Sequence, residues 1–189
     1  MKNIILLLLV TIFFASCESD NYTPKPTGYF RIDLPKKKYQ TTNLECPFQF
    51  EIPVYANITR NPNQTENPCW FDINFTNLNA SIYVSYKPVN NNINDYLEDS
   101  RTLAFKHTVK AFDIEQNTIS FPERNVYGLI YEIEGNTASS YQFHLTDSNK
   151  HFIRGSLYFN NVPNQDSIQP VLTFIKKDIE QIFNTLEWK

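Results

Sequence analysis

The chain has 189 residues, 41% of them hydrophobic and 20% charged, a size and composition that build one core and exclude a disordered, collagen-like or multispanning protein. Its formal net charge of -3, with a pI near 5.6, lacks the basic surplus a nucleic-acid binder carries. Cysteine occurs three times, at Cys17, Cys46 and Cys69, and an odd count in an exported chain asks for a separate explanation of one of them.

Lys2 is the single positive charge ahead of an uncharged apolar run over residues 4–15, followed by Ser16 and Cys17. As a helix this run reaches roughly 18 Å, too short for a hydrocarbon core of about 30 Å. It therefore reads as an export signal over residues 1–16 and not as a membrane span. Ala15 and Ser16 directly before Cys17 resemble the lipobox of bacterial lipoproteins. That resemblance implies acylation of Cys17 and cleavage after Ser16; Phe14 replaces the commoner Leu. Several acyl chains hold a protein firmly where one binds marginally. The expected location is the cell envelope, with the anchor in the periplasmic leaflet of the outer membrane. Glu18, Ser19 and Asp20 weakly resemble the surface-display signals of some Bacteroidetes lipoproteins.

Residues 17–46 read as a lipid-anchored tether. Pro24, Pro26 and Pro35 forbid a regular helix there. Tyr22, Tyr29, Ile32 and Leu34 are too apolar for a purely solvated linker, so part of it is expected to pack, either along its own domain or against a partner. Cys46 and Cys69 then remain in an oxidising compartment with no C-x-x-C between them. A disulfide is expected, a redox or metal-binding thiol pair being the rival.

From residue 47 to 189 the chain reads as one α+β domain. Phe48, Phe50, Ile52 and Val54 alternate with polar residues, as do Phe71, Ile73 and Phe75, and Ile82, Val84 and Tyr86. Period two with polar intervals marks three strands with one buried face. Helical period follows: Ile93, Leu97, Ser100 and Ala104 make a stripe with Asn92 or Asn94 as cap. A strand near residues 112–119 opens an antiparallel meander, continued by Tyr127, Leu129, Tyr131 and Ile133, by Tyr141, Phe143 and Leu145, and by Ile153, Leu157 and Phe159. Pro170 is placed in the first turn of a last helix whose stripe is Leu172, Ile175, Ile179, Ile182, Phe183 and Leu186. The expectation is an antiparallel sheet of six or seven strands covered by two helices, an element order resembling the Mog1/PsbP-like arrangement.

The usual enzyme signatures are absent from the sequence, and its four glycines form no phosphate cradle. If Leu145 pairs with Ile153, His144 lies opposite Arg154, pointing away from the core, and His151 belongs to the turn, so no shared metal site is expected. His107 lies beside the stripe of the first helix; the runner-up reading makes it the centre of a ligand-binding or hydrolytic pocket with Glu98 or Asp99. Glu132 and Glu134 share a strand face and are expected to be solvated. Ser167, in Asp166-Ser167-Ile168, resembles the O-glycosylation acceptor of exported Bacteroidetes proteins and is placed in the loop before the last helix.

Beyond Cys17, the run Pro24-Lys25-Pro26-x-Gly28-Tyr29 with Arg31-Ile32-Asp33 resembles the start of the mature chain in the gliding-motility lipoprotein GldD family of Bacteroidetes. Further matches are Cys46-Pro47-Phe48, the strand Ile82-Tyr83-Val84-Ser85-Tyr86, Lys106-His107-Thr108 and the closing Leu186-Glu187-Trp188. The resemblance implies a non-enzymatic envelope lipoprotein required for gliding, associated with the type IX secretion machinery, with no cofactor and no catalytic residue. Tyr22, Lys25, Pro26, Tyr29 and Arg31 are the candidate contact for a protein partner.

Overall fold

The computed structural model describes Gly28 and residues 31–60 and 67–189. Six of the expected strands, joined by a short strand at Asn57–Thr59 that the alternation does not show, form a seven-stranded antiparallel sheet. Its strands are β4 (Asn57–Thr59), β5 (Phe71–Phe75), β6 (Ala80–Pro88), β7 (Ala111–Phe121), β8 (Val126–Gly135), β9 (Tyr141–Thr146) and β10 (His151–Phe159), in the order β4-β5-β6-β10-β9-β8-β7. Helix α1 (Ile93–Phe105) carries the chain from β6, mid-sheet, to β7 at the far edge, and the meander then returns until β10 closes against β6. Leu145 pairs with Ile153 and His144 with Arg154, the register read from the alternation.

Helix α2 (Gln165–Thr185) covers one face. Leu172, Ile175, Ile179, Ile182 and Phe183 meet Ile73, Ile82, Phe143, Leu145 and Leu157 in the main core. It begins five positions before Pro170, because Asn164 caps it by accepting from the Ser167 N–H at 3.2 Å. Pro170 therefore lies inside the helix, and Ser167 in its first turn instead of a preceding loop. On the opposite face α1 packs Ala104 against Tyr131 and Ile133, with Leu129 at the margin. Helices thus cover both faces, and β9 is buried on both sides along its whole length. Asn92 holds the cap position of α1, but its side chain accepts from the Asn90 N–H at 2.8 Å.

The run expected as one strand at residues 48–54 changes partner midway. Strand β2 (Phe48–Gln49) pairs with β11 (Glu187–Trp188), and β3 (Glu51–Pro53) with β1 (Tyr39–Thr41). Between them Phe50 is held on both sides of its peptide by Thr42, whose hydroxyl donates to the Phe50 carbonyl at 2.9 Å. Burial alternates through Ile52 as expected, but Val54 is 43% exposed at the end of the ribbon. Cys46 and Cys69 are joined by a disulfide with Cα atoms 5.7 Å apart, which staples this ribbon to the start of β5.

The chain divides into two units, Met1–Arg31 and Ile32–Lys189. Residues before 47, read as tether, contribute to the second: β1 pairs with β3, and Thr42 and Leu44 are buried. The alternative in which part of the tether packs along its own domain is realised over this stretch.

Candidate functional site

Four polar side chains form a clasp where the incoming chain meets α2. Asp178 is fully buried, and the Lys37 ammonium lies 2.7 Å from its Oδ1. Tyr39 donates to Oδ1 at 3.1 Å and Tyr55 to Oδ2 at 2.7 Å. Lys37 also donates to the Tyr55 hydroxyl at 3.0 Å and the Phe174 carbonyl at 2.8 Å, its ammonium 3.3 Å from the centre of the Phe174 ring. Every donor of the ammonium is used, and both carboxylate oxygens accept. Burial lowers the Lys37 pKa, and Asp178 opposes the shift. Burial, then the Asp178 charge, pushes the Tyr39 hydroxyl up to about 12; burial, then the hydrogen bond to Asp178, pushes the Tyr55 hydroxyl up as well. These contacts anchor the incoming chain to α2.

The clasp is not visible in the sequence, because Lys37 lies in the stretch that reads as tether. One signal was available: Asp178 falls three residues after Ile175 and four before Ile182, on the buried stripe of α2. A carboxylate in that position requires a buried cation or donors.

The other sequence-derived sites fall as follows. Cys17, Tyr22, Lys25, Pro26 and Tyr29 lie outside the described residues; Arg31 is exposed. Ser167 is exposed. His107 sits in a short turn after α1 and makes no hydrogen bond or ion pair with Glu98 or Asp99; Glu98 accepts from Thr102, and Asp99 faces Lys87 at 3.8 Å. Burial first, and then the Arg154 charge, lowers the His107 pKa.

His144 points away from the main core, as expected, but into a second buried layer between Tyr131 and Phe152. Burial, aided by Arg154, brings its pKa down to about 4. His151 is the first residue of β10, bonded to the Tyr86 hydroxyl at 3.0 Å and stacked on Trp188. It lines an open cleft of about 640 Å³ with Asp147, Arg124 and Trp188. Glu132 is half-buried and forms an ion pair with Lys176 of α2, while Glu134 is exposed as expected. Among the described residues, no three His, Cys, Asp or Glu side chains are grouped to hold a metal ion, and no helix is long and apolar enough to cross a membrane.

The family profile described as gliding motility lipoprotein GldD matches residues 19–188. The chain belongs to the gliding motility lipoprotein GldD family. The matched span of this GldD family member contains the clasp, the disulfide and both helices, and starts just after Cys17. No match to a curated protein sequence was found. Among solved structures, the chain is similar to the solution structure of cyanobacterial PsbP (CyanoP) from Synechocystis, at 8% identity over 85% of this chain and 98% of that one, with a TM-score of 0.48.

Proposed function

We propose that this GldD family lipoprotein is a non-enzymatic structural or assembly component of the gliding apparatus, linked to the type IX secretion machinery. In this reading acyl chains on Cys17 hold it at the periplasmic leaflet of the outer membrane, and the strip containing Tyr22, Lys25, Pro26, Tyr29 and Arg31 contacts another envelope protein. The observation that carries the reading is the clasp. It fixes the chain to the body at Lys37, immediately after Ile32 and Leu34, which are 38% and 40% exposed. Ile32 and Leu34, held close to this anchor, are presented at lower entropic cost than on a free linker. Ser167, exposed in the first turn of α2, is proposed as an O-glycosylation acceptor.

The test separates anchor from fold. Cys17→Ala, exported by a cleavable secretory signal, is expected to give a folded soluble protein and no gliding. Restored motility would show the tether to be dispensable. Crosslinking from residues 22 and 29 in cells should trap an envelope protein; a strip that crosslinks only to its own body removes the partner contact. Mass spectrometry of the peptide containing Ser167 decides the modification.

A further inference from the structure

Four adjacent side chains on the α1 face of the sheet hold polar atoms with no partner among the described residues. The register sets Arg154 beside His144 and Ser156 beside Gln142. Arg154 Nε, His144 Nδ1, Gln142 Nε2 and Ser156 Oγ are all buried without a hydrogen bond. A guanidinium offers five N–H donors. The one bond Arg154 makes within the described protein runs from Nη2 to Gln142 Oε1, at 2.6 Å. No carboxylate forms an ion pair with it among the described residues. Arg154 is half-buried, and a partly desolvated cation without an acidic partner is costly to the fold, so natural chains pair such groups or use them.

Arg154 also lines a cavity of about 300 Å³, together with Trp70, Asp72, Tyr83 and Ser85. Ser85 lies next to Arg154, and Tyr83 next to Ser156, across the β6–β10 pairing. The Trp70 indole is fixed, its Nε1 donating to the Tyr86 carbonyl at 2.7 Å. The cavity therefore combines an under-used cation with two aromatic walls, at the edge of a buried, donor-rich patch. Asp72 shares the lining, which disfavours a dianion and suits a singly charged ligand that also brings an N–H or O–H donor.

We propose that this cavity binds a carboxylate-bearing ligand, its carboxylate received by Arg154 and its body set against Trp70 and Tyr83. Planar carboxylates match the guanidinium fork, and a bidentate pair in a partly dry site is stronger than its exposed counterpart. Burial keeps the neighbouring His144 neutral above about pH 4, so it does not compete as a cation. The source of the carboxylate is either a free small acid or the end of a peptide. This assignment does not rest on the role in gliding.

Calorimetric titration of the full chain in detergent tests it with four probes: an N-acetylated tripeptide with a free C-terminus, the same tripeptide as its amide, lactate as a singly charged hydroxy acid, and inorganic phosphate. Saturable binding of the free-acid peptide, with the amide at least about tenfold weaker, supports a peptide source. Saturable binding of lactate, with both peptides silent, supports a free acid. Arg154→Lys should weaken the bound acid at least about tenfold, because a point charge replaces the fork. Tyr83→Ala alters an exposed wall residue, needs no refolding of the core, and should weaken binding severalfold. Phosphate binding as tightly as either acid, no probe saturating below about 10 mM, or unchanged affinity in both variants would overturn the proposal.

Discussion

Lys37 and Asp178, from opposite ends of the folded unit, form an ion pair of 2.7 Å in which the carboxylate is fully buried. The ammonium also sits over the Phe174 ring, so one side chain bonds α2 by charge, by a backbone carbonyl and by its aromatic face. Removing a single partner leaves the other charge unpaired. Lys37→Met is expected to cost about 3 kcal/mol by urea unfolding, and Asp178→Asn a comparable amount. The double variant should lose less than the sum of the two, since neither desolvated charge remains. Strict additivity would mean that the two groups do not interact in the folded protein.

His144 supplies the acid limb of the stability profile. Its folded pKa of about 4 lies below the unfolded value of 6.5. Between those limits the unfolded chain takes up a proton that the folded chain refuses, so the full stability present above pH 6.5 is lost as pH falls toward 4. The loss reaches up to about 3 kcal/mol. His107 and His151, also lowered chiefly by burial, act in the same direction. Urea midpoints for wild type and His144→Gln should converge on acidification, because the variant lacks this limb. A constant gap between the two curves from pH 7 to about pH 4.5 would show that the folded chain takes up the His144 proton as readily as the unfolded one. On the alkaline side Tyr39, at about 12, should make stability fall above pH 10.

Periodicity made the sheet and both helices legible, because one buried face forces alternation on a strand and a stripe on a helix. Phe71, Ile73 and Phe75 show this plainly. What stayed hidden depends on which segments meet. Phe48 and Ile52 lie on one alternating run yet pair with opposite ends of the chain, and a buried pattern does not name its partner. The meander residues Leu129, Tyr131 and Ile133 alternate like core residues because α1 covers them, although they face away from Phe143 and Leu145. The clasp was hidden for the same reason: Lys37 looks solvated until Asp178 is placed beneath it. Only an acid on an apolar stripe hinted at it.

The disulfide closes a loop between residues 23 positions apart, with both cysteines buried. Cys46→Ser with Cys69→Ser should lower stability by about 3 kcal/mol, mainly by freeing the unfolded chain. The wild-type protein in strong reductant should approach the variant's midpoint. If reductant leaves wild type and variant equally stable as the untreated wild type, the bridge contributes nothing and the rival thiol-pair reading gains.

Gly155 marks a tight point of the main core. It faces Phe143 across the β9–β10 pairing, and a Cβ built there would lie 2.1 Å from the Phe143 Cζ and 2.4 Å from Cε1. The ring has little room to retreat, because its other neighbour is Phe183 of α2, edge-on with centroids 4.9 Å apart. Phe143 thus occupies the space a side chain at 155 would fill, much as an aromatic covers a glycine in a neighbouring strand. Gly155→Ala is expected to cost about 3 kcal/mol, at the upper end for overpacking, because the shift must pass through Phe143 into α2. Phe143→Leu in the same chain should recover part of that loss, a non-additivity that identifies the clash as the cause. A Gly155→Ala protein within about 0.5 kcal/mol of wild type would show that the sheet and α2 can separate at this point, and that the core there is looser than the contact between Phe143 and Phe183 implies.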